Sequence, residues 1–172
     1  NFGGNWLNEA KALTLRPTLD LRANTLKADR DKVVKALERA GAEACRLAPQ
    51  GVRVPAGKLS DRLPNVTAEL SFAKGWFEAQ DEGSQLVAGL VMAQEGEQIL
   101  DYCAGGGGKT LALSAIVHNK GQIHAYDADR KRLSPIIERL KRAGTRNVQV
   151  HDGLAALKPH VGKFDRVLID AP

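Results

Sequence analysis

The chain has 172 residues, 43% hydrophobic and 26% charged, with a net charge of +5, an ordinary balance for one medium globular domain or two small ones. No apolar run approaches the ~20 residues that a membrane helix needs, and NFGGNWLNEAKAL at the start has no basic stretch leading into an apolar core, so it does not read as a secretory leader. Cys45 and Cys103 have no metal-ligand spacing and make no disulfide framework; the expected setting is a reducing cytoplasm, with no metal and no membrane.

In chain order, residues 1–18 read as a linker from an upstream region, with a short helix over Trp6 to Leu13. Asn1 in place of a Met gives the same expectation, that more chain precedes it. Leu19 to Leu26 alternates apolar and polar, the pattern of a half-buried strand. Asp29 caps a helix with Val33, Val34, Leu37 and Ala40 on one face, ended by Gly41. Ala44 to Leu47 and Val52 to Val54 are short strands around the turn Pro49-Gln50-Gly51. Leu59 to Val66 gives no clear pattern. Ala68 to Ala73 and Trp76 to Ala79 read as extended. Strand, helix, then several strands describes a small α+β module over 19–74, ferredoxin-like in its order of elements.

The charge excess sits in that module. Residues 1–74 carry 13 Lys+Arg against 8 Asp+Glu, whereas 75–172 carry 12 of each. A basic module joined to a neutral one suits a polyanion-binding appendage on a small-ligand domain. Arg22, Lys27, Arg30, Lys32, Lys35 and Arg53 are its candidate RNA phosphate contacts. A merely solvated basic face is an alternative at this modest excess.

Asp81 opens another helix, with Leu86, Val87, Leu90 and Val91 on one face, ending near Gly96. The stretch that organises the remainder is Gln98 to Thr110, QILDYCAGGGGKT: an apolar strand, four glycines, then Leu111, Leu113, Ile116 and Val117 at helical spacing. A helix opening straight after a glycine turn presents unpaired N–H groups and a positive dipole end. Gln122 to Tyr126, Val148 to His151 and Phe164 to Ile169 are further strands. Between the first two runs a basic helix carrying Leu133, Ile136, Ile137 and Leu140, with Pro135 placing its start at Ser134 and Gly144 its end. Repeated strand and helix imply a parallel, doubly wound sheet.

Three glycine-turn templates can be tested. The P-loop supplies Gly108-Lys109-Thr110, but its first glycine falls on Cys103. The dinucleotide pattern read from Gly105 fails at Thr110. The methyltransferase pattern, acid-x-Gly-x-Gly-x-Gly, is met by Asp101, Gly105 and Gly107, with Cys103 in place of its first glycine. Asp101, Asp127, Asp152 and Asp170 all end predicted strands, where open parallel sheets bind ligands. Asp127 lies 20 residues after Gly107, the usual distance to an acid that grips ribose hydroxyls. Asp129 is its rival but is better placed as a helix cap. A nucleoside-containing ligand follows.

Gly75-Trp76-Phe77-Glu78-Ala79-Gln80-Asp81-Glu82-Gly83-Ser84-Gln85, Asp101-Tyr102-Cys103-Ala104 with the glycine-Lys109-Thr110 turn, and Asp165-Arg166-Val167-Leu168-Ile169-Asp170-Ala171-Pro172 together resemble the Nol/Nop/Sun family of RNA cytosine-5 methyltransferases. The resemblance runs from about Leu19 to the end, and is nearest to the bacterial branch that modifies small-subunit ribosomal RNA. The chain departs from the family at Gly105-Gly106, where Ala-Pro is common.

The resemblance implies a Rossmann-like class I methyltransferase sheet over 75–172, incomplete at about four parallel strands, preceded by an RNA-recognition-like module. It implies S-adenosylmethionine as cofactor and small-subunit ribosomal RNA as partner. Cys103, Ala104, Gly105, Gly106, Gly107, Gly108 and Lys109 would wrap the cofactor's methionine end. Asp127 would hold the ribose, Asp152 the adenine, and Asp170 would lie between cofactor and target base, as base or orienting group. The family's chemistry adds a cysteine thiolate to carbon 6 of cytosine so that carbon 5 can take the methyl group. Its motif continues beyond Pro172 with a cysteine, so the sequence is expected to be an inactive piece of a longer enzyme, with the catalytic cysteines outside it. The alternatives are a P-loop-like nucleotide-binding protein and a non-catalytic RNA-binding adaptor. His118, His124, His151 and His160 form no catalytic triad, and surface or core roles are expected for them.

Overall fold

The computed structural model describes residues 3–57 and 64–171. Two four-stranded sheets divide the described chain. The first is antiparallel and is built from β1 (Leu19–Ala23), β2 (Glu43–Ala44), β3 (Gly51–Val54) and β4 (Phe77–Ala79), in the order β2-β3-β1-β4. β1 sits centrally, pairing Leu21 with Val52 on one side and with Ala79 on the other. The helix α1 (Trp6–Leu13) precedes it with no buried residue. α2 (Arg30–Ala36), capped by the Asp29 carboxylate on the Lys32 N–H, lays Val33 against the sheet. The core there is Leu21, Val33, Leu37, Val52, Val54 and Phe77.

Three expectations for this half change. Ala68 to Ala73 is not extended: Val66–Ala68 is a 3-10 turn and Leu70–Ala73 forms α3. Six residues are too few for period alone to separate strand from helix, and here Phe72 packs its ring 5.6 Å from that of Phe77. With α3 in place, the order strand, helix, two strands, helix, strand is the full ferredoxin-like cycle. The expected strand at Ala44 to Leu47 shrinks to Glu43–Ala44. β4 completes the first sheet, so a boundary between 74 and 75 cuts through this unit, which runs on to Ala79. The unclear stretch from Leu59 lies largely outside the described residues.

α4 (Glu82–Leu90) joins the units, and the expected apolar face is not its buried one. Leu90 is 78% exposed, whereas Glu82, Gln85 and Ala88 are buried. The buried side is polar because it carries hydrogen bonds: Glu82 Oε1 accepts from the Leu47 and Ala48 N–H groups, and Gln85 Nε2 donates to the carbonyls of Leu21 and Gln80.

The second sheet is parallel throughout. Its strands are β5 (Gln98–Asp101), β6 (Gln122–Tyr126), β7 (Val148–His151) and β8 (Arg166–Leu168), in the order β7-β6-β5-β8. The order reverses beside β5, so the crevice at its C-terminal end is the switch point where such sheets take ligands. α5 (Gly108–Ile116) follows the glycine turn. The basic helix begins earlier than Ser134, as α6 (Arg130–Leu133) capped by Asp129, and resumes as α7 (Ile136–Ala143) after Pro135. Leu133, Ile136 and Leu140 are buried with Leu111 and Ala125, but Ile137 is 55% exposed. Among the described residues, α5 to α7 all cover one face. The other carries Leu100, Tyr126 and Leu157 beneath the 3-10 segment Leu154–His160, so only half of the doubly wound arrangement is seen.

Candidate functional site

The glycine turn is held from several sides. The Ala104 N–H donates to the Tyr126 carbonyl, and the Gly105 N–H donates to Asp127 Oδ2 at 2.8 Å. Asp127 Oδ1 accepts from the Asp129 N–H. Arg139 Nη1 donates to the Gly106 carbonyl at 2.6 Å. Gly107 has φ +81°, and a Cβ there would lie 2.4 Å from Ile136, so only glycine fits. Gly108 begins α5.

Asp129 is the helix cap that its position predicts. Asp127 is buried at the turn, whereas Asp129 uses its carboxylate on the Lys131 and Arg132 N–H groups as a cap. Asp152 is exposed and ion-paired to Arg130 at 3.0 Å. Asp170 is half-exposed and accepts from Lys109 Nζ, which also donates to Ser84 Oγ. Cys103, Ala104, Gly108, Lys109, Asp170 and Arg139 line a cleft of about 260 Å³, closed on the other side by Ala79, Gln80, Asp81 and Ser84.

Asp101 is legible in the sequence as a strand-end acid but not among the expected cofactor contacts. It is 1% exposed. Oδ2 accepts from the Thr110 hydroxyl at 2.7 Å, while Oδ1 has no partner. Burial pushes its carboxyl up to about 6, despite that hydrogen bond and the nearby Lys109. A buried carboxylate with a free oxygen at the foot of a glycine turn suits a cationic ligand group. It does not suit a phosphate chain. Lys109, which a P-loop would need on phosphate, is already engaged by Asp170, so the P-loop alternative loses its best residue.

The basic candidates separate. Arg53 holds Asp20 through two nitrogens at 2.8 Å and reaches Glu82 at 3.0 Å. Arg22 is buried; its Nε donates to Gln80 Oε1 and Nη2 approaches the Gly108 carbonyl at 3.5 Å. Both guanidinium groups are engaged by partners within the chain, Arg22 buried and Arg53 with 31% of its side chain exposed. Lys27, Lys32 and Lys35 are exposed and Arg30 is half-buried. Lys32 Nζ lies 4.2 Å from the centre of the half-buried Trp76 ring, with Lys74 on the same ring at 5.4 Å. Sequence order hid this aromatic and its basic flank, because Lys32 and Trp76 meet only in the fold.

Cys45 is buried, and burial raises its thiol to about 11, which leaves it a poor nucleophile. His124, His151 and His160 cluster on the far sheet face beside Phe164. The His124 and His151 rings are nearly parallel, with centroids 5.0 Å apart and nitrogens head to head at 2.8 Å. That is an N–H···N hydrogen bond; two imidazoles sharing a metal must instead converge on a point about 2.0–2.1 Å from each. Burial lowers His124 to about 4 and also lowers His151, so the pair packs as neutral rings.

Residues 88–172 match a family model described as 16S rRNA methyltransferase RsmB/F, and residues 1–58 match one described as its RsmF/B-like ferredoxin-like domain. A probable ribosomal RNA small subunit methyltransferase B from Synechocystis is 34% identical over 161 residues, 91% of this chain and 35% of that one. Ribosomal RNA small subunit methyltransferase B from Citrobacter koseri is 35% identical over 174 residues, 100% of this chain and 40% of that one. The chain therefore spans little more than a third of the length of these relatives. A crystal structure of a methyltransferase homolog protein from Pyrococcus horikoshii superimposes with a TM-score of 0.81 at 28% identity, over 99% of this chain and 55% of that one.

Proposed function

The chain belongs to the RsmB/F branch of the Nol/Nop/Sun family, and on that premise we propose that the whole protein methylates carbon 5 of a cytosine in small-subunit ribosomal RNA, using S-adenosylmethionine. The second sheet is a class I methyltransferase sheet of the Rossmann-like kind, and the first is the family's ferredoxin-like module. The observation that carries the cofactor reading is the pairing of the Asp127 carboxylate with the Gly105 N–H at the mouth of the turn. It fixes an acid beside the loop at the spacing used for ribose hydroxyls.

The residues fit the group. Asp101 Oδ1, buried and unpartnered, is an acceptor for a cationic amino or sulfonium group. Gly105 to Gly108 let the backbone come close to the methionine end, and the cofactor supplies an electrophilic methyl group when bound. Asp152 is reachable from solvent at the next strand end, for the adenine. Asp170, whose carboxylate carries Lys109, would orient a cytosine edge in the cleft. Neither Cys45 nor Cys103 is assigned the thiolate that activates the ring. Lys27, Arg30, Lys32 and Lys35 are the phosphate contacts that remain available, with Trp76 as a stacking surface between basic groups.

Calorimetry with S-adenosylhomocysteine tests the cofactor site. Asp127→Ala removes charge-assisted hydrogen bonds and is expected to weaken binding about ten- to a hundred-fold; unchanged affinity would remove the ribose assignment. Full-length protein is expected to incorporate labelled methyl groups into unmodified small-subunit RNA. Absence of incorporation from a protein that binds the cofactor would leave the substrate reading without support.

A further inference from the structure

The contact between Arg139 and the Gly106 carbonyl does not belong to the second unit alone. Arg139 is carried by α7, and its Nε and Nη2 both donate to Glu78 Oε2, at 3.1 and 3.0 Å. Glu78 is a residue of β4 in the first sheet, and its side chain is only 3% exposed. Its other oxygen is held by Arg142 Nη2 at 2.6 Å. With Nε and Nη2 fixed on the carboxylate, the guanidinium plane is set, and Nη1 is left aimed at Gly106. Arg22, paired with Glu78 across β1 and β4, adds the longer contact on Gly108. The first sheet thus reaches two carbonyls of the turn through arginines.

The turn needs such support. Gly105-Gly106 restricts its own backbone less than any other pair of residues would. Its shape depends on what holds its polar groups: Asp127 on the Gly105 N–H and Arg139 on the Gly106 carbonyl.

We infer that Arg139 is a positioning residue for the cofactor turn, held in place by Glu78 from the first sheet, so that the ferredoxin-like module sets the affinity of the methyltransferase unit for its cofactor. The inference rests on the cofactor reading given above. It makes the two units interdependent at a site that the first unit does not line with any catalytic group.

The test uses full-length protein and four variants: Arg139→Met, Arg139→Lys, Gly106→Ala, and Arg139→Met with Gly106→Ala. Arg139→Met leaves Glu78 paired with Arg142, so no buried carboxylate is stranded. It is expected to weaken S-adenosylhomocysteine binding about ten-fold, as removal of one charge-assisted hydrogen bond would. The KM for S-adenosylmethionine should rise by a similar factor. Arg139→Lys, which retains a cationic donor, should recover part of that affinity.

A Cβ at Gly106 would lie 3.1 Å from Arg139 Nη1, in a backbone conformation open to alanine. Gly106→Ala should therefore change affinity in the presence of Arg139 and have little effect in the Arg139→Met background, a coupling that a double-mutant cycle reads directly. Wild-type protein that binds no S-adenosylhomocysteine removes the underlying cofactor reading. Wild-type protein that binds it, with Arg139→Met within two-fold and no coupling to Gly106→Ala, overturns the inference while leaving that reading intact.

Discussion

The seam between the two sheets and the mouth of the second sheet are built from the same residue types with opposite results. At the seam, Glu78 is buried with Arg139 and Arg142 on its two oxygens, and Asn24 Nδ2 bridges the carbonyls of Gly75 and Ala143. Gly75 lets the backbones meet: a Cβ there would lie 2.0 Å from the Arg142 carbonyl oxygen. At the mouth, Asp101 is as deeply buried as Glu78 but keeps one oxygen without a partner. Asp170 nearby is exposed. The Glu78 carboxylate, partnered on both oxygens, ties the units together, whereas the Asp101 carboxylate keeps one oxygen unpartnered.

The strongest way to break the comparison is at Glu78. Glu78→Ala leaves Arg139 and Arg142, neighbours on α7, without their shared carboxylate at the seam and is expected to cost about 3–5 kcal/mol of stability, read by denaturant unfolding. A cost below about 1 kcal/mol would mean that the seam does not depend on this carboxylate.

Asp101 gives the converse. Its folded pKa of about 6 stands above the ordinary 3.8, so its contribution is fullest below the unfolded pKa and is lost as pH rises through the folded one. Asp101→Asn removes that cost and is expected to raise stability at neutral pH by at most about 3 kcal/mol, while weakening cofactor binding. A variant that loses stability would place Asp101 with the seam residues instead. Cofactor affinity in the unaltered protein should also fall as pH drops below the folded pKa of about 6, when the carboxylate takes up its proton.

His124 sharpens the contrast on the far face of the sheet. Its folded pKa, about 4, lies below the ordinary 6.5, so its contribution is present above 6.5 and is lost as pH falls toward 4. Asp101 acts the other way over much of this window, so the Asp101→Asn background isolates the effect. Melting temperatures in that background should fall between pH 6.5 and 4, and His124→Gln should flatten the fall. An unchanged slope would assign the acid limb to other groups.

The smallest effect is expected at the surface. Reversing Lys27, Lys32 and Lys35 should leave stability and cofactor binding near their original values. It should reduce the salt dependence of RNA binding by about one unit of slope for each phosphate no longer neutralised. An unchanged slope would make these lysines a solvated face.

Much of this molecule is legible residue by residue. The glycine turn, its strand and helix, the cap at Asp129 and the acid at Asp127 all depend on short spacings, and local backbone chemistry sets those spacings. Trp6–Leu13 is helical as its pattern predicts, and the four parallel strands fall where apolar runs end in acids. Local pattern misleads where a tertiary contact chooses between alternatives. α3 is hidden in a short apolar run and is held by Phe72 on Phe77. α4 turns its polar side inward because the first sheet supplies hydrogen-bond partners there.

The basic residues show the division most clearly. Sequence counts them and locates the excess in the first 74 residues, but a charge has no assigned partner until the chain is folded. The sequence by itself determined the turn, the strand-end acids and the family, because each rests on residue types at fixed short separations. Only the tertiary structure decided that Arg22 and Arg53 are engaged by partners within the chain, that Lys32 reaches Trp76, and that Arg139 links Glu78 to Gly106, since these contacts join residues 33 to 86 positions apart whose meeting depends on how strands and helices pair within each unit and how the two units pack.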